Sequence, residues 1–134
     1  MIGQETSGRP WGIYMSMSLP SVAGLPILLA ATAAAAADAD HGKILFETCA
    51  ACHSDRPDAL GPSLKGVYGR PSASLDGFRY SNPMKRANLV WDDANLRDYI
   101  RNPQGKVKGN RMPYGGMSDP DDVDDVIGYL KTLK

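Results

Sequence analysis

Apolar residues fall at intervals of three and four near the end of the chain: Val123, Val126, Ile127, Leu130 and Leu133. That period places one apolar stripe on a helix, with Ser118 or Asp119 as cap and Pro120 in its first turn. Asp121 and Asp122 suit the positive end of its dipole, and Lys131 and Lys134 suit the other end. A second stripe, Leu96, Tyr99 and Ile100, follows Asp92 as cap and stops at Asn102-Pro103. A third, Ile44, Leu45 and Phe46, follows Asp40 as cap and runs to about Cys49. Gly42 in this third helix is either the crossing point of another helix or a merely tolerated glycine. Asn82-Pro83 opens a short further helix, with the asparagine as cap.

Between the stripes the chain reads as loop. Ser54 to Tyr80 is interrupted by Pro57, Gly61, Pro62, Gly66, Gly69, Pro71 and Gly77, and Gly105 to Gly116 is glycine-rich. So long a stretch without an element is unusual in a small domain. It makes sense if the loop wraps a prosthetic group. The pattern predicts an all-α domain of three main helices and a short one, with long loops.

The N-terminus is different in kind. Leu19 to Ala37 carries no charge, with an apolar Leu25-Pro26-Ile27-Leu28-Leu29-Ala30 followed by small residues ending in Ala35-Ala36-Ala37. This is the h-region and cleavage site of an export signal, so residues 1–37 are expected to be a leader and 38–134 the folded domain. The positive n-region is weak, since only Arg9 stands against Glu5; a true start at Met15 or Met17 would not supply a lysine. The competing reading is an uncleaved membrane anchor, although Pro20, Gly24 and Pro26 interrupt the run. Either reading puts the domain across a membrane.

Charge narrows the function. The chain has 15 lysines and arginines against 15 acidic residues, and one of each, Arg9 and Glu5, lies in the leader. A neutral domain gives no electrostatic basis for nucleic-acid binding. The Asp119–Asp125 run fits the start of a helix, because the glycine and final glutamate of a calcium loop are missing.

The chemistry sits in Cys49-Ala50-Ala51-Cys52-His53, which uses both cysteines of the chain. Two thiols three positions apart share a helix face, and an imidazole follows at once. This is the attachment signature of one covalent c-type haem, with His53 placed to ligate the iron. A thiol–disulfide site would expect a βαβ surround, which the pattern does not contain. A zinc site would need more ligands than the one other histidine, His41, can provide. For a second axial ligand the candidates are Met84, Met112, Met117 and His41. Met112 lies mid-loop in Gly109-Asn110-Arg111-Met112-Pro113, where irregular backbone can carry a thioether inward; Met117, beside the last helix, fits packing. His41 precedes the cysteines on the same helix and fits a solvated position.

Several segments together carry a family resemblance. Gly42-Lys43 and Phe46 precede the haem motif; Gly61-Pro62-Ser63-Leu64, Gly69-Arg70 and Gly77-Phe78-Arg79-Tyr80 follow it. Trp91, Tyr99, Asn102-Pro103, the Met112 segment and Gly128-Tyr129-Leu130 complete the set. On these residues, from Gly42 to Leu133, the chain resembles class I cytochrome c, and its small soluble bacterial members more than the mitochondrial protein. The resemblance implies His53 as proximal and Met112 as distal ligand, with the Pro62 carbonyl accepting the imidazole proton. It implies that Tyr80 and Trp91 hydrogen-bond a haem propionate, that Arg70 compensates its charge and that Tyr99 donates to the methionine sulfur. Gly42, Phe46 and Tyr129 would join the first and last helices. Two departures stand out: the stretch from His53 to Pro62 is short and lacks the mitochondrial lysines, and Met84 replaces a buried asparagine.

A single haem with both axial positions filled by His53 and Met112 predicts a one-electron carrier rather than an enzyme. The alternative is a haem domain with a labile sixth ligand, acting as peroxidase or gas sensor. The carrier reading implies a monomer that meets redox proteins such as membrane cytochrome complexes, oxidases or dehydrogenases, and touches a membrane only transiently unless anchored. Lys106, Lys108 and Arg111, with Lys65, are the cations expected near the haem edge.

Overall fold

In the computed structural model, which describes residues 36–134 and the isolated Gly8 and Gly12, helices form where the apolar stripes lie. The chain divides after Ala33, and the second unit, Ala34–Lys134, holds every named element. The leader expected over 1–37 lies outside the described residues, apart from Gly8, Gly12, Ala36 and Ala37. Among the described residues, no helix is long and apolar enough to cross a membrane.

The first helix, α1, spans Ala39–Ala50, and its cap is Asp38 rather than the expected Asp40. The Asp38 carboxylate accepts the N–H groups of Asp40 and His41, and its own N–H donates to Asp125 Oδ1 at 2.6 Å. A short α2 covers Asn82–Arg86; Ser81, not Asn82, caps it, because the Ser81 hydroxyl accepts the Met84 N–H. Helix α3, Asp93–Arg101, is capped by Asp92 as its sequence predicts. A four-residue α4, Pro103–Lys106, was not predicted; Asn102 caps it through the Gly105 N–H, immediately after ending α3. Helix α5 runs Pro120–Leu130 from an Asp119 cap. The three main helices and the short α2 are therefore joined by a second short one.

Helix α5 is the centre of the core. Val123, Val126, Ile127 and Leu130 are buried, while Leu133 lies beyond the helix end and only partly covered. Val67, Met84, Trp91, Leu96 and Val107 complete the buried cluster. Against α5 lies α1, crossing at Gly42, where an added Cβ would sit 2.0 Å from the Asp125 carbonyl oxygen. Gly42 is thus a crossing point rather than a tolerated glycine. Phe46 and Tyr129 pack beside it with ring centroids 5.1 Å apart, joining the two helices as expected.

The loop from Ser54 to Tyr80 has no helix but is tied by hydrogen bonds to the segment Leu89 to Trp91. Gly69 N–H donates to Trp91 O, Trp91 N–H to Arg70 O, and Ser72 N–H to Leu89 O, around an isolated antiparallel bridge between Pro71 and Val90. These bonds run between residues too few to show an alternating pattern. Among the described residues they are the only sheet-like pairing.

Candidate haem-attachment site

Helix α1 ends within the motif. Cys49 lies in its last turn, and the Cys52 and His53 N–H groups both donate to the Cys49 carbonyl, at 3.0 and 2.9 Å. The chain therefore continues the helical sense just far enough to present two thiols and an imidazole together. Both cysteines are free and partly exposed; burial pushes the Cys49 thiol up from its ordinary value.

The His53 ring is held by two neighbours, the Pro62 carbonyl and Gly61. Its Nδ1 lies 2.8 Å from the Pro62 carbonyl oxygen, an acceptor only, so the proton is on Nδ1 and Nε2 is the free lone pair. Gly61 lies flat against the ring, where a Cβ would come within 2.6 Å of Nδ1 and Cε1, and its N–H donates to the Cys52 carbonyl. Burial lowers the imidazole pKa, opposed by the bond to Pro62, so the neutral, metal-binding form is favoured.

The remaining expected residues form two groups. Arg70 donates to the carbonyls of Lys65 at 2.9 Å and Ser63 at 3.0 Å, and its charge reaches Tyr80, whose phenol is raised mainly by burial. Tyr80 in turn meets the Phe78 ring edge-on. Trp91 is buried against Tyr99, ring centroids 5.0 Å apart, and burial pushes the Tyr99 phenol up to about 12.

Met112 is placed by its backbone. Its N–H donates to Asn110 Oδ1 at 2.8 Å, while the Asn110 amide donates to the carbonyls of Pro103 and Val107. Gln104 ties the same loop by accepting the Gly109 N–H and donating to the Asn110 carbonyl. Met117 sits differently: its N–H donates to the Ile100 carbonyl, and Gly116 beside it has no room for a Cβ against Arg101. That backbone is fastened to the end of α3, with Met117 partly buried against the core.

Asn110 and Tyr114 were not singled out individually from the sequence. Tyr114 follows Met112 by two, and its phenol is raised by burial, with a smaller contribution from the Cys49 thiol. His41, read as solvated, is exposed but partnered: its Nδ1 donates to Asp125 Oδ2 at 2.8 Å and lies 3.9 Å from Asp122. Met84, the departure from the mitochondrial pattern, is buried in the core cluster.

The donor set fits a c-type haem: two free thiols at one helix end, a neutral imidazole with Nε2 free, and a thioether on a braced loop. Fold and site together define a small all-α haem protein with its cofactor held by thioether bonds. The Cytochrome c family model matches residues 39–134, and the chain belongs to that family, as a small bacterial class I member. It is 45% identical over 100 residues to cytochrome c2 iso-2 of Magnetospirillum molischianum, covering 73% of this chain and 100% of that one. Identity to cytochrome c2 of Blastochloris viridis is 41% over 114 residues, 82% of this chain and 90% of the relative. Among solved structures, cytochrome cH from Methylobacterium extorquens superposes with a TM-score of 0.68 at 43% identity, covering 71% and 98% of the two chains. As a family member the chain binds one covalent haem c and is an electron carrier, not an enzyme.

Proposed function

We propose that residues 38–134 form an exported, monomeric one-electron carrier in which Cys49 and Cys52 hold the haem and His53 and Met112 are its axial ligands. The observation that carries this is the fixed tautomer of His53: with Nδ1 committed to Pro62, only Nε2 can face a metal, beside both cysteines. The bound haem supplies a one-electron Fe(III)/Fe(II) couple, at a potential that a methionine ligand raises. Asn110 braces the Met112 backbone by accepting its N–H, so the loop that carries the thioether is held in one position. Tyr99 is the donor to that sulfur. Tyr80, Trp91 and Arg70 receive a propionate, Arg70 being the one cation among them. The partners are redox proteins of a respiratory or dehydrogenase-linked chain, and the leader 1–37 is removed after Ala37 on export to the periplasm.

Met112→Ala tests the ligand set. It is expected to abolish the weak long-wavelength sulfur-to-iron absorption of the oxidised protein and to let carbon monoxide bind the reduced form, whereas Met117→Leu does neither. If the effects are exchanged, Met117 is the ligand. Mass spectrometry of the exported protein should find Asp38 first; an intact N-terminus in membranes would establish an anchor instead.

A further inference from the structure

Resting on His53 as the proximal ligand, we infer that Asp55 and Ser63 are positioning residues for the Pro62 carbonyl, and so set how strongly His53 donates its Nδ1 proton. A carbonyl has no side chain to lock it; its direction depends on the peptide units to either side. Upstream, Gly61 is bound to Cys52 and pressed on the imidazole. Downstream, the Ser63 hydroxyl donates to Asp55 Oδ1 at 2.8 Å and accepts the Lys65 N–H at 3.3 Å. Lys65 Nζ pairs with Asp55 Oδ2 at 2.5 Å.

Asp55 is only two residues from His53, and Ser63 adjoins Pro62. The chain from His53 to Asp55, the Asp55–Ser63 bond, Pro62 and the imidazole bond thus form one small closed circuit. A cleft of about 170 Å³ opens here, with Phe46, His53, Leu64 and Leu133 in its walls and Asp55, Ser63 and Lys65 along its polar side. Opening the clasp frees one edge of the circuit and lets water compete for the Pro62 carbonyl. Asp55 and Lys65 are more than half exposed, at 55% and 59%, so their pairing adds little to global stability. Its effect is local and geometric.

Donation from a ligating imidazole to an acceptor raises the ligand's basicity, which favours the oxidised metal. Weaker donation therefore shifts the couple toward the reduced form. Ser63→Ala in the haem-loaded protein removes the clasp without changing charge. At fixed ambient potential the reduced-to-oxidised ratio should rise about threefold, which is about 28 mV at about 59 mV per tenfold for one electron. Exchange of the His53 Nδ1 proton with solvent, followed by NMR, should accelerate about tenfold, with thermal stability nearly unchanged. Asp55→Ala should speed exchange in the same way. Asp55→Asn, which keeps an oxygen acceptor for Ser63, should retain slow exchange.

An explanation by charge alone predicts no response to Ser63→Ala. The inference is overturned if that variant leaves both ratio and exchange at their original values, or if Asp55→Asn speeds exchange as much as Asp55→Ala. Failure of the ligation reading is separate: it would be seen in the unaltered protein, as His53 ring protons without the large shift that a haem imposes on its axial ligand.

Discussion

Asn110 shows how one buried side chain can govern a functional loop. It is one of two buried polar residues in the described chain, and its amide makes three hydrogen bonds, two given to carbonyls and one taken from Met112. Asn110→Ala strands all three partners at once. With each such bond worth about 1 kcal/mol, a loss of about 2–3 kcal/mol is expected in denaturant unfolding of the haem-loaded protein. The same variant should let carbon monoxide bind the reduced form, because the Met112 backbone loses its anchor. The segment around Asn110 was legible as part of a family pattern. Its bonds were not, since their acceptors lie on α4 and just beyond it, and a four-residue helix is too short to display a period.

Among the elements, the crossing of α1 and α5 decides most. An alanine at position 42 would place a methyl group 2.0 Å from the Asp125 carbonyl, a backbone atom that cannot swing aside. Gly42→Ala should destabilise by about 3 kcal/mol, the upper part of the usual cost of overpacking, read as a fall in the denaturation midpoint. The main helices, the apolar faces of α3 and α5 and the cap of α3 were readable from residue spacing, because long amphipathic periods leave a strong trace. On α1 only Leu45 and Phe46 turn to the core, while Ile44, read into the same stripe, is 65% exposed, since three consecutive residues span too wide an arc to share one face. The other helix starts were harder. Asp38 and Asp40 are both good caps, as are Ser81 and Asn82; for α1 it is the Asp38 backbone bond to Asp125, a contact across the fold, that sets the choice. The imidazole bond to Pro62 followed from the family resemblance, whereas the Asp55–Ser63 clasp depends on how a loop closes, which spacing does not encode.

At the scale of the whole molecule, charge is balanced by pairs rather than spread as a field. Of the four cations expected near the haem edge, Lys65 is paired with Asp55 and Lys106 with Asp98. Lys108 and Arg111 make no ion pair among the described residues, although Arg111 donates to the Arg79 carbonyl. Reduction by an acidic redox partner should slow as salt rises, with screening near 10 Å at about 0.1 M, but only shallowly. Lys108→Glu should slow it at low salt and hardly at high salt, while Lys106→Gln should change it little; stopped-flow rates across an ionic-strength series check both.

The pairing of His41 also gives the fold a pH dependence. The Asp125 bond raises the imidazole above its ordinary 6.5, assisted by the charges of Asp122 and Asp38, while His41 and the Asp38 N–H hold the Asp125 carboxyl below 3.8. The histidine contribution is complete below the unfolded pKa and is lost as pH rises through the higher folded value. The aspartate contribution is present above 3.8 and is lost as pH falls through the lower folded value. Stability from this contact should therefore be greatest between about pH 4 and 6.5 and decline toward alkaline pH. His41→Gln should flatten the alkaline side of that profile in thermal melts.

Asp125 also receives the Asp38 N–H, 2.6 Å away, at the first residue of the domain expected after processing. Cut after Ala37, the chain would begin there, and what is an amide hydrogen in the precursor would become a primary ammonium group. Such an amine is largely protonated at neutral pH, with an ordinary pKa of about 7.7–8.0. The carboxylate that meets a neutral donor before processing would then meet a full positive charge, at the crossing that organises the core. Precursor and product would differ by an ion pair as well as by a leader, and the scissile bond itself would have become a fastening of the fold.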